Sequence, residues 1–541
     1  MDSPTRLLRQ IKRHVQSVTY SSPFYRLMLD QGEVPDKMRL SLPDPWPGDS
    51  ARGQALIAGH PELFDSEALS CDLVNRCFLT HECLRDLRAV GTEIARRRAI
   101  ALIHEWIEDS AEQWDEISWS PAVLGARLAN WIAFYDFYSP AATHDFTGQI
   151  MSAAVRQLRH LENTTQASLF GLEATQAIKG LVYGGLALTD SEKAVGLALD
   201  LLLRQIETEI LPDGGHISRN PSVLADMLRL FIDIRGALCA ARIDIPHDLS
   251  LAITRMMPAV RFFRHGDGGL ALFNGSETGR TLTFEATQTL SGAKARSIKQ
   301  LSQMGYERLT AGRSLLLVDA GGPPPRPHDG QAHAGLMSFE FSVGKERLFT
   351  NCGAAPQTHN QWSRAMAATA AHNTIVLQDT NACELLPDGG IGQRPHHIQN
   401  NRYEVNNTQF VDMVHDGYWP RHKVKLQRLI SLGQEGDELR CKESLFGPAG
   451  RSFAIRWHLH PDVKALLAQD EGSALLRTPS GTGWRLRLTG AGRLFLTLEP
   501  SIYCGEGQPR GTLQLCLSGK IGPQGGRVEW SLTRETTRKV S

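Results

Sequence analysis

The stretch Asp213-Gly-Gly-His216-Ile-Ser-Arg219-Asn220-Pro221-Ser-Val-Leu224 places a histidine, an arginine and an asparagine behind two glycines and directly ahead of an apolar helical pattern. Histidine can shuttle protons near neutral pH, and arginine can clamp a carboxylate through its planar fork. Asn220 and Pro221 have a simpler explanation, because asparagine caps helices and proline suits the first helical turn. That leaves Gly214, Gly215, His216 and Arg219 to be explained. Farther along, 10 of the 19 histidines fall between residues 328 and 460. His333 and His372 each precede a strand-like run, and His415 opens His-Asp-Gly-Tyr418. His458 and His460 are two residues apart, hence on one face of a strand. Such spacings suit a metal or proton transfer, and equally a half-buried polar strip.

Two kinds of element must position these residues. Between about 50 and 262 the apolar residues recur at helical steps. In 121–138, for example, Leu124, Leu128, Trp131, Ile132, Tyr135 and Tyr138 follow Pro121 at intervals of three and four. After about 264 the runs become short and alternating, punctuated by glycine, proline and asparagine, as in "LMSFEFSVG" and "GWRLRLTG". The expected organisation is an N-terminal extension (1–50), an α/α toroid (51–263) and an antiparallel β-sandwich (264–541).

Composition excludes some classes of function. With 58 basic and 58 acidic residues the formal charge is zero, which gives no support to nucleic acid or a membrane surface as a partner. No apolar run approaches the ~18 residues of a membrane span, and the start does not read as a secretory signal, so a cytoplasmic location is the expectation. The nine cysteines include no Cys-x-x-Cys pair, which argues against a disulfide framework or a zinc finger.

Six segments in order, "DGGHISRNP" (213–221), "GDGGLALFNGS" (266–276), "AHAGLMSFEFSVGKERLFTNCG" (332–353), "AAHNTIVL" (370–377), "HDGY" (415–418) and "RWHLHP" (456–461), resemble the heparinase II/III family of polysaccharide lyases. The resemblance implies an α/α toroid joined to a β-sandwich, an acidic, uronate-containing polysaccharide as partner, and cleavage by β-elimination. That chemistry needs a group that neutralises the uronate carboxylate, a base for the adjacent proton and an acid for the leaving oxygen. On this reading His216, His333, His372 and Tyr418 are the candidates for proton transfer. Arg127, Trp131, Arg219, Asn220, Arg364, Asn373 and His415 would hold the substrate. The resemblance also implies a zinc ion at His333, His372 and Asn351. Family members are often periplasmic, against the cytoplasmic expectation. The sequence departs from the family at three points. Val223 and Leu224 stand where a tyrosine follows the loop proline, Gln331 replaces the first histidine of a His-x-His run, and Asn351-Cys352-Gly353 replaces Asp-Pro-Gly. The alternative is a non-catalytic glycan-binding or polysaccharide-assembly protein on the same scaffold. A glycoside hydrolase using Asp213 and Asp416 has the least support.

Overall fold

The computed structural model describes residues 14–42, 44–59, 78–110, 114–166, 168–188, 192–279, 281–294, 296–355, 360–387, 389–470, 472–490, 494–506 and 508–535. The chain forms two compact units, one of residues 1–208, 226–254 and 282–293, the other of residues 209–225, 255–281 and 294–541.

The first unit is helical. Its elements include α1 (Pro23–Asp30), α2 (Ser50–Ala58), α3 (Leu84–Val90), α4 (Glu93–Ser110), α5 (Pro121–Ala133), α6 (Tyr135–Tyr138), α7 (His144–Thr164), α8 (Gly171–Ala187) and α9 (Glu192–Glu209). Helix α5 starts on its proline and buries Leu124, Leu128, Trp131 and Ile132, the stripe expected from the spacing. It crosses α8 at two glycines: a Cβ on Gly180 would lie 2.4 Å from the Gly125 Cα, so only residues without side chains permit this approach. The segment 44–49 is tied into the same unit. Asp44 accepts from Arg85, and the Trp46 indole N–H donates to Asp233 at 2.6 Å. The Lys179 ammonium lies 2.7 Å from the same Asp233 carboxylate. A buried charge is tolerated only when paired in this way. Among the described residues, no helix is long and apolar enough to cross a membrane.

The second unit is built on three antiparallel sheets. The first joins β1 (Gln300–Leu301), β2 (Tyr306–Ala311), β3 (Ser314–Asp319), β4 (Phe339–Val343) and β5 (Glu346–Phe349) in sequence order. Strand β3 is buried along its whole length, which explains its unbroken apolar run Leu315-Leu316-Leu317-Val318. Next in the chain come β6 (Ile375–Leu377), β7 (Ile398–Val405), β8 (Thr408–His415), β9 (Lys425–Leu432), β10 (Glu438–Phe446), β11 (Ser452–His458), β12 (Lys464–Leu467), β13 (Ser473–Arg477), β14 (Gly483–Gly490), β15 (Phe495–Tyr503), β16 (Arg510–Lys520) and β17 (Gly526–Arg534). Eight of them form a sheet in the order β12-β13-β14-β17-β10-β9-β8-β7, and four form another, β15-β16-β11-β6. Phe339, Phe341, Ile430, Trp457, Trp484 and Trp530 belong to one continuous buried core.

Candidate functional site

The loop 213–220 belongs to the sheet unit, although sequence period alone assigns it to the helical half. Hydrogen bonding accounts for this. The Asp213 carboxylate accepts from the backbone N–H groups of Gln303 and Met304 at 2.7 and 3.0 Å. Gly214 has φ +83°, and a Cβ there would sit 2.1 Å from the Arg255 carbonyl oxygen. The first glycine is thus required by backbone geometry and close packing together.

His216 is 1% exposed. Its Nδ1 accepts from the Ser218 backbone N–H at 3.1 Å, so its proton is on Nε2, which donates to Glu209 at 3.1 Å. Arg219 is inside as well. Its Nε donates to the Met304 carbonyl at 2.7 Å, and its Nη2 to the Gly305 carbonyl and to Asp319. A further bond runs from Nη1 to the Gly322 carbonyl. Burial works against the guanidinium charge, but Asp319 outweighs it and raises the Arg219 pKa; burial raises that of Asp319. Asn220 caps the helix α10 (Pro221–Ala240) as its type predicts, accepting from Ser222 N–H at 2.8 Å and Val223 N–H at 3.2 Å.

A chain of hydrogen bonds connects this loop to the histidine pair. The Asn220 amide donates to the Asn274 carbonyl at 2.9 Å, and the Asn274 side-chain oxygen accepts from the His333 backbone N–H at 3.2 Å. The Asn274 Nδ2 donates to the Tyr306 hydroxyl, which donates to the Arg219 carbonyl, each at 2.8 Å. His372 donates from Nδ1 to the Ala368 carbonyl at 2.8 Å, leaving Nε2 to accept from His333 Nδ1 at 3.1 Å. Burial depresses both, His372 to about 4 and His333 well below the ordinary histidine range, so the pair is neutral.

These residues do not fit a zinc ion. Among the described residues no group of three or more His, Cys, Asp or Glu side chains could hold a metal. In the third position implied by the resemblance, Asn351 is neutral, and its oxygen accepts from the Asn373 N–H at 3.0 Å. A structural zinc site ordinarily has four ligands.

The other candidates also have partners within the protein. The Asn373 side chain donates to the Phe339 carbonyl at 2.8 Å and accepts from the His458 N–H at 2.6 Å. The Tyr418 hydroxyl donates to the Ile375 carbonyl at 3.0 Å, and burial raises its pKa. His415 accepts from the Gly417 N–H at 3.1 Å and is pushed down to about 4 by burial. Arg127 and Trp131 belong to the helical unit, and both are 0% exposed. Arg127 donates to Gln157 and to the carbonyls of Leu79 and Ser118, with its guanidinium 3.8 Å from the Trp106 ring centre. The Trp131 indole donates to His81 at 2.6 Å. Arg364, on the helix Asn360–Ala367, is the exposed member of the candidate set.

Several residues of this network carry no sequence signal. Glu209, Tyr306 and Asp319 lie in ordinary helical or strand patterns, and Asn274 was visible only as part of a longer segment. Glu340 is the most consequential. It is fully buried on β4, accepts from the Asn351 N–H at 2.8 Å, and lies 2.9 Å from His265 Nε2. Burial lifts its carboxyl from 4.5 to about 7, with Arg347 opposing. A raised carboxylate pKa favours folding while the proton is bound. Its contribution is full below the ordinary value and is lost as pH rises through 7. His265 is depressed by burial and acts in the opposite direction at lower pH. Glu340→Gln removes only the carboxyl titration. Its urea midpoint should therefore gain on the wild type between about pH 5 and about pH 8. A constant difference between the two midpoints across that range would refute the assignment.

The chain is 30% identical to FtsZ-localized protein C of Caulobacter vibrioides (strain NA1000 / CB15N), across 93% of each protein. Residues 293–531 match the family described as Heparinase II/III-like, C-terminal. The chain belongs to the heparinase II/III-like family. Solved structures of the family share its fold across nearly the whole length. Heparinase III superposes with a TM-score of 0.74 over 97% of this chain and 93% of that one, at 12% identity. Heparan sulfate lyase HepC from Pedobacter heparinus gives 0.61 over 87% and 78%, at 14% identity. Helical toroid and β-sandwich are therefore the heparinase II/III architecture. At these identities the likeness is one of fold.

Proposed function

We propose that this protein is a non-catalytic member of the heparinase II/III-like family that works as an assembly protein alongside FtsZ. One observation carries the reading: His216, His333, His372 and Tyr418, the four candidates for proton transfer, are all at most 8% exposed. Each also has ring or hydroxyl atoms engaged by neighbouring protein groups. A general acid or base must come within hydrogen-bond reach of its substrate. Arg127, Trp131 and Arg219 are likewise enclosed. A relative carrying FtsZ in its name, similar over 93% of both chains, supports FtsZ as the partner in this reading.

The second reading, a polysaccharide lyase acting on a uronate-containing glycan, is favoured by the close superposition on heparinase III. Two measurements separate them. Incubation with heparan sulfate, hyaluronan and alginate should produce no ultraviolet-absorbing unsaturated uronate above the enzyme-free rate. The purified protein should sediment with polymerised FtsZ and stay in the supernatant without it. A saturable elimination rate would overturn the non-catalytic assignment, and absence from the FtsZ pellet would overturn the assembly role.

A further inference from the structure

Tyr418 is buried, but the residue after it is not. The Tyr418 hydroxyl is held inside by the Ile375 carbonyl, and the four-residue helix Trp419–His422 that follows carries its indole outward, 43% exposed. Lys423 closes this helix in a left-handed backbone conformation, φ +57°, which a lysine seldom adopts. Its Nζ and that of Lys425, the first residue of β9, lie over the indole, 5.6 and 5.3 Å from the ring centre. Lys425 is paired across the strands with Phe446, the last residue of β10, whose side chain is 54% exposed. The chain beyond Phe446 is pressed against the same corner. A Cβ on Gly447 would sit 2.5 Å from the Val424 side chain and 2.8 Å from the Lys423 carbonyl oxygen. Two large apolar rings are thus held in water with Lys425 between them.

The charge around them is one-sided. Arg421, Lys423 and Lys425 are exposed, and Arg451 is half-buried. Burial, with the Arg451 and Arg421 charges, holds His422 below its ordinary value, so it adds no charge near neutral pH. Its Nε2 meets the Thr380 hydroxyl at 3.0 Å. The carboxylates of the neighbouring segments are Glu384, 3.8 Å from Arg421, and the exposed Asp379. Asp416 turns its carboxylate inward onto the backbone N–H groups of His396 and His397. Lys423 and Lys425 have no carboxylate partner among the described residues.

We propose that an acidic segment of a protein partner docks here, its carboxylates on Lys423 and Lys425 and an apolar side chain against Trp419 and Phe446. This rests on the assembly role proposed above, so polymerised FtsZ is the probe. Aromatic side chains are the usual anchors of a protein interface, and charges around them set its register and its partner. The chemistry favours a peptide over a glycan. A carboxylate pairs with the two ammonium groups where they stand, whereas a sugar would have to displace them to stack on the indole. A uronate chain also has no apolar side chain for Phe446.

Sedimentation of the full chain with polymerised FtsZ tests this. Trp419→Ala should weaken binding about tenfold or more, and so should the double variant Lys423→Glu with Lys425→Glu. Lys464→Glu makes the same kind of charge change on the exposed edge strand β12, five strands from β9 in the same sheet, and should leave binding unchanged. If Trp419→Ala lowers the melting temperature, Phe446→Ala at its exposed position decides. Wild type in the pellet with either the tryptophan or the double variant unweakened overturns this surface and leaves the assembly role standing. Absence of the wild type from the pellet overturns the assembly role and the surface with it. Equal weakening by Lys464→Glu shows unspecific charge attraction and overturns the surface. Heparan sulfate or phosphatidylglycerol vesicles, bound by the wild type and lost by Trp419→Ala, would give the surface to a glycan or a lipid and overturn it as well.

Discussion

Arg219→Met will destabilise the sheet unit by about 3–5 kcal/mol, the cost of removing one member of a buried ion pair. The methionine can fill much of the same volume but donates nothing. Asp319 is then left as a buried carboxylate, and the carbonyls of Met304, Gly305 and Gly322 lose their donor. The contact of the guanidinium with the Tyr306 ring, 4.6 Å to the ring centre, is lost as well. For a unit of this size each kcal/mol lowers Tm by roughly 2–4 °C, so the drop should be roughly 6–20 °C by calorimetry. Asp319→Leu in the same chain should restore part of the loss, because the stranded carboxylate is gone. This outcome distinguishes a structural Arg219 from a substrate clamp. A clamp would leave the melting temperature nearly unchanged and weaken glycan binding. Unchanged stability in Arg219→Met would therefore revive the arginine as a ligand for an acidic sugar.

Arg428→Met should be at least as damaging. Arg428 and Glu443 are directly opposed across β9 and β10, 1% and 0% exposed, and 2.7 Å apart. The same guanidinium donates from Nη1 to the carbonyls of Met337 and Asn373 at 2.5 and 2.9 Å. It thereby ties two of the segments that carry the family resemblance, 332–353 and 370–377, to the eight-stranded sheet. Without it, Glu443 keeps among the described residues only weak donors, the Cys441 thiol at 3.4 Å and the Trp530 indole at 3.3 Å. A loss of about 3–5 kcal/mol follows from the uncompensated charge. The volume-matched pair Arg428→Met with Glu443→Leu should recover most of this, since buried ion pairs often add little net stability over apolar packing. Urea unfolding of both single variants and the double variant closes the cycle. Additive losses would show that the two side chains do not depend on each other.

Much of the fold is legible in the sequence because it rests on local chemistry. The change of apolar spacing near 264 precedes all the strands β1 to β17, although the helices Thr281–Ser291 and Asn360–Ala367 lie beyond it. Asn220 marks a helix start by a side-chain oxygen that accepts backbone N–H groups, and it does so, just as α5 begins on Pro121. The site was less legible. Residue type picks out His216, Arg219, Asn373 and Tyr418 as polar groups that simple packing would not request. Yet type does not tell whether a polar group faces a ligand or pays for a buried backbone. Its partners decide that, and they are remote: Asp319 is 100 residues from Arg219, and His458 is 85 from Asn373.

Sequence by itself pointed to a helical region ahead of a strand-rich one, to the Asn220 cap and to the family to which the chain belongs. It also singled out the segments that become its polar interior. Only the tertiary structure decided what those segments do. It drew the 213–220 loop into the sheet unit through Asp213 and Arg219, and it closed His333 against His372. It also set Lys425 between Trp419 and Phe446. The physical reason is that caps and periodicity act over a few residues along the chain, whereas burial and charge pairing are set by whichever distant residues the fold brings alongside.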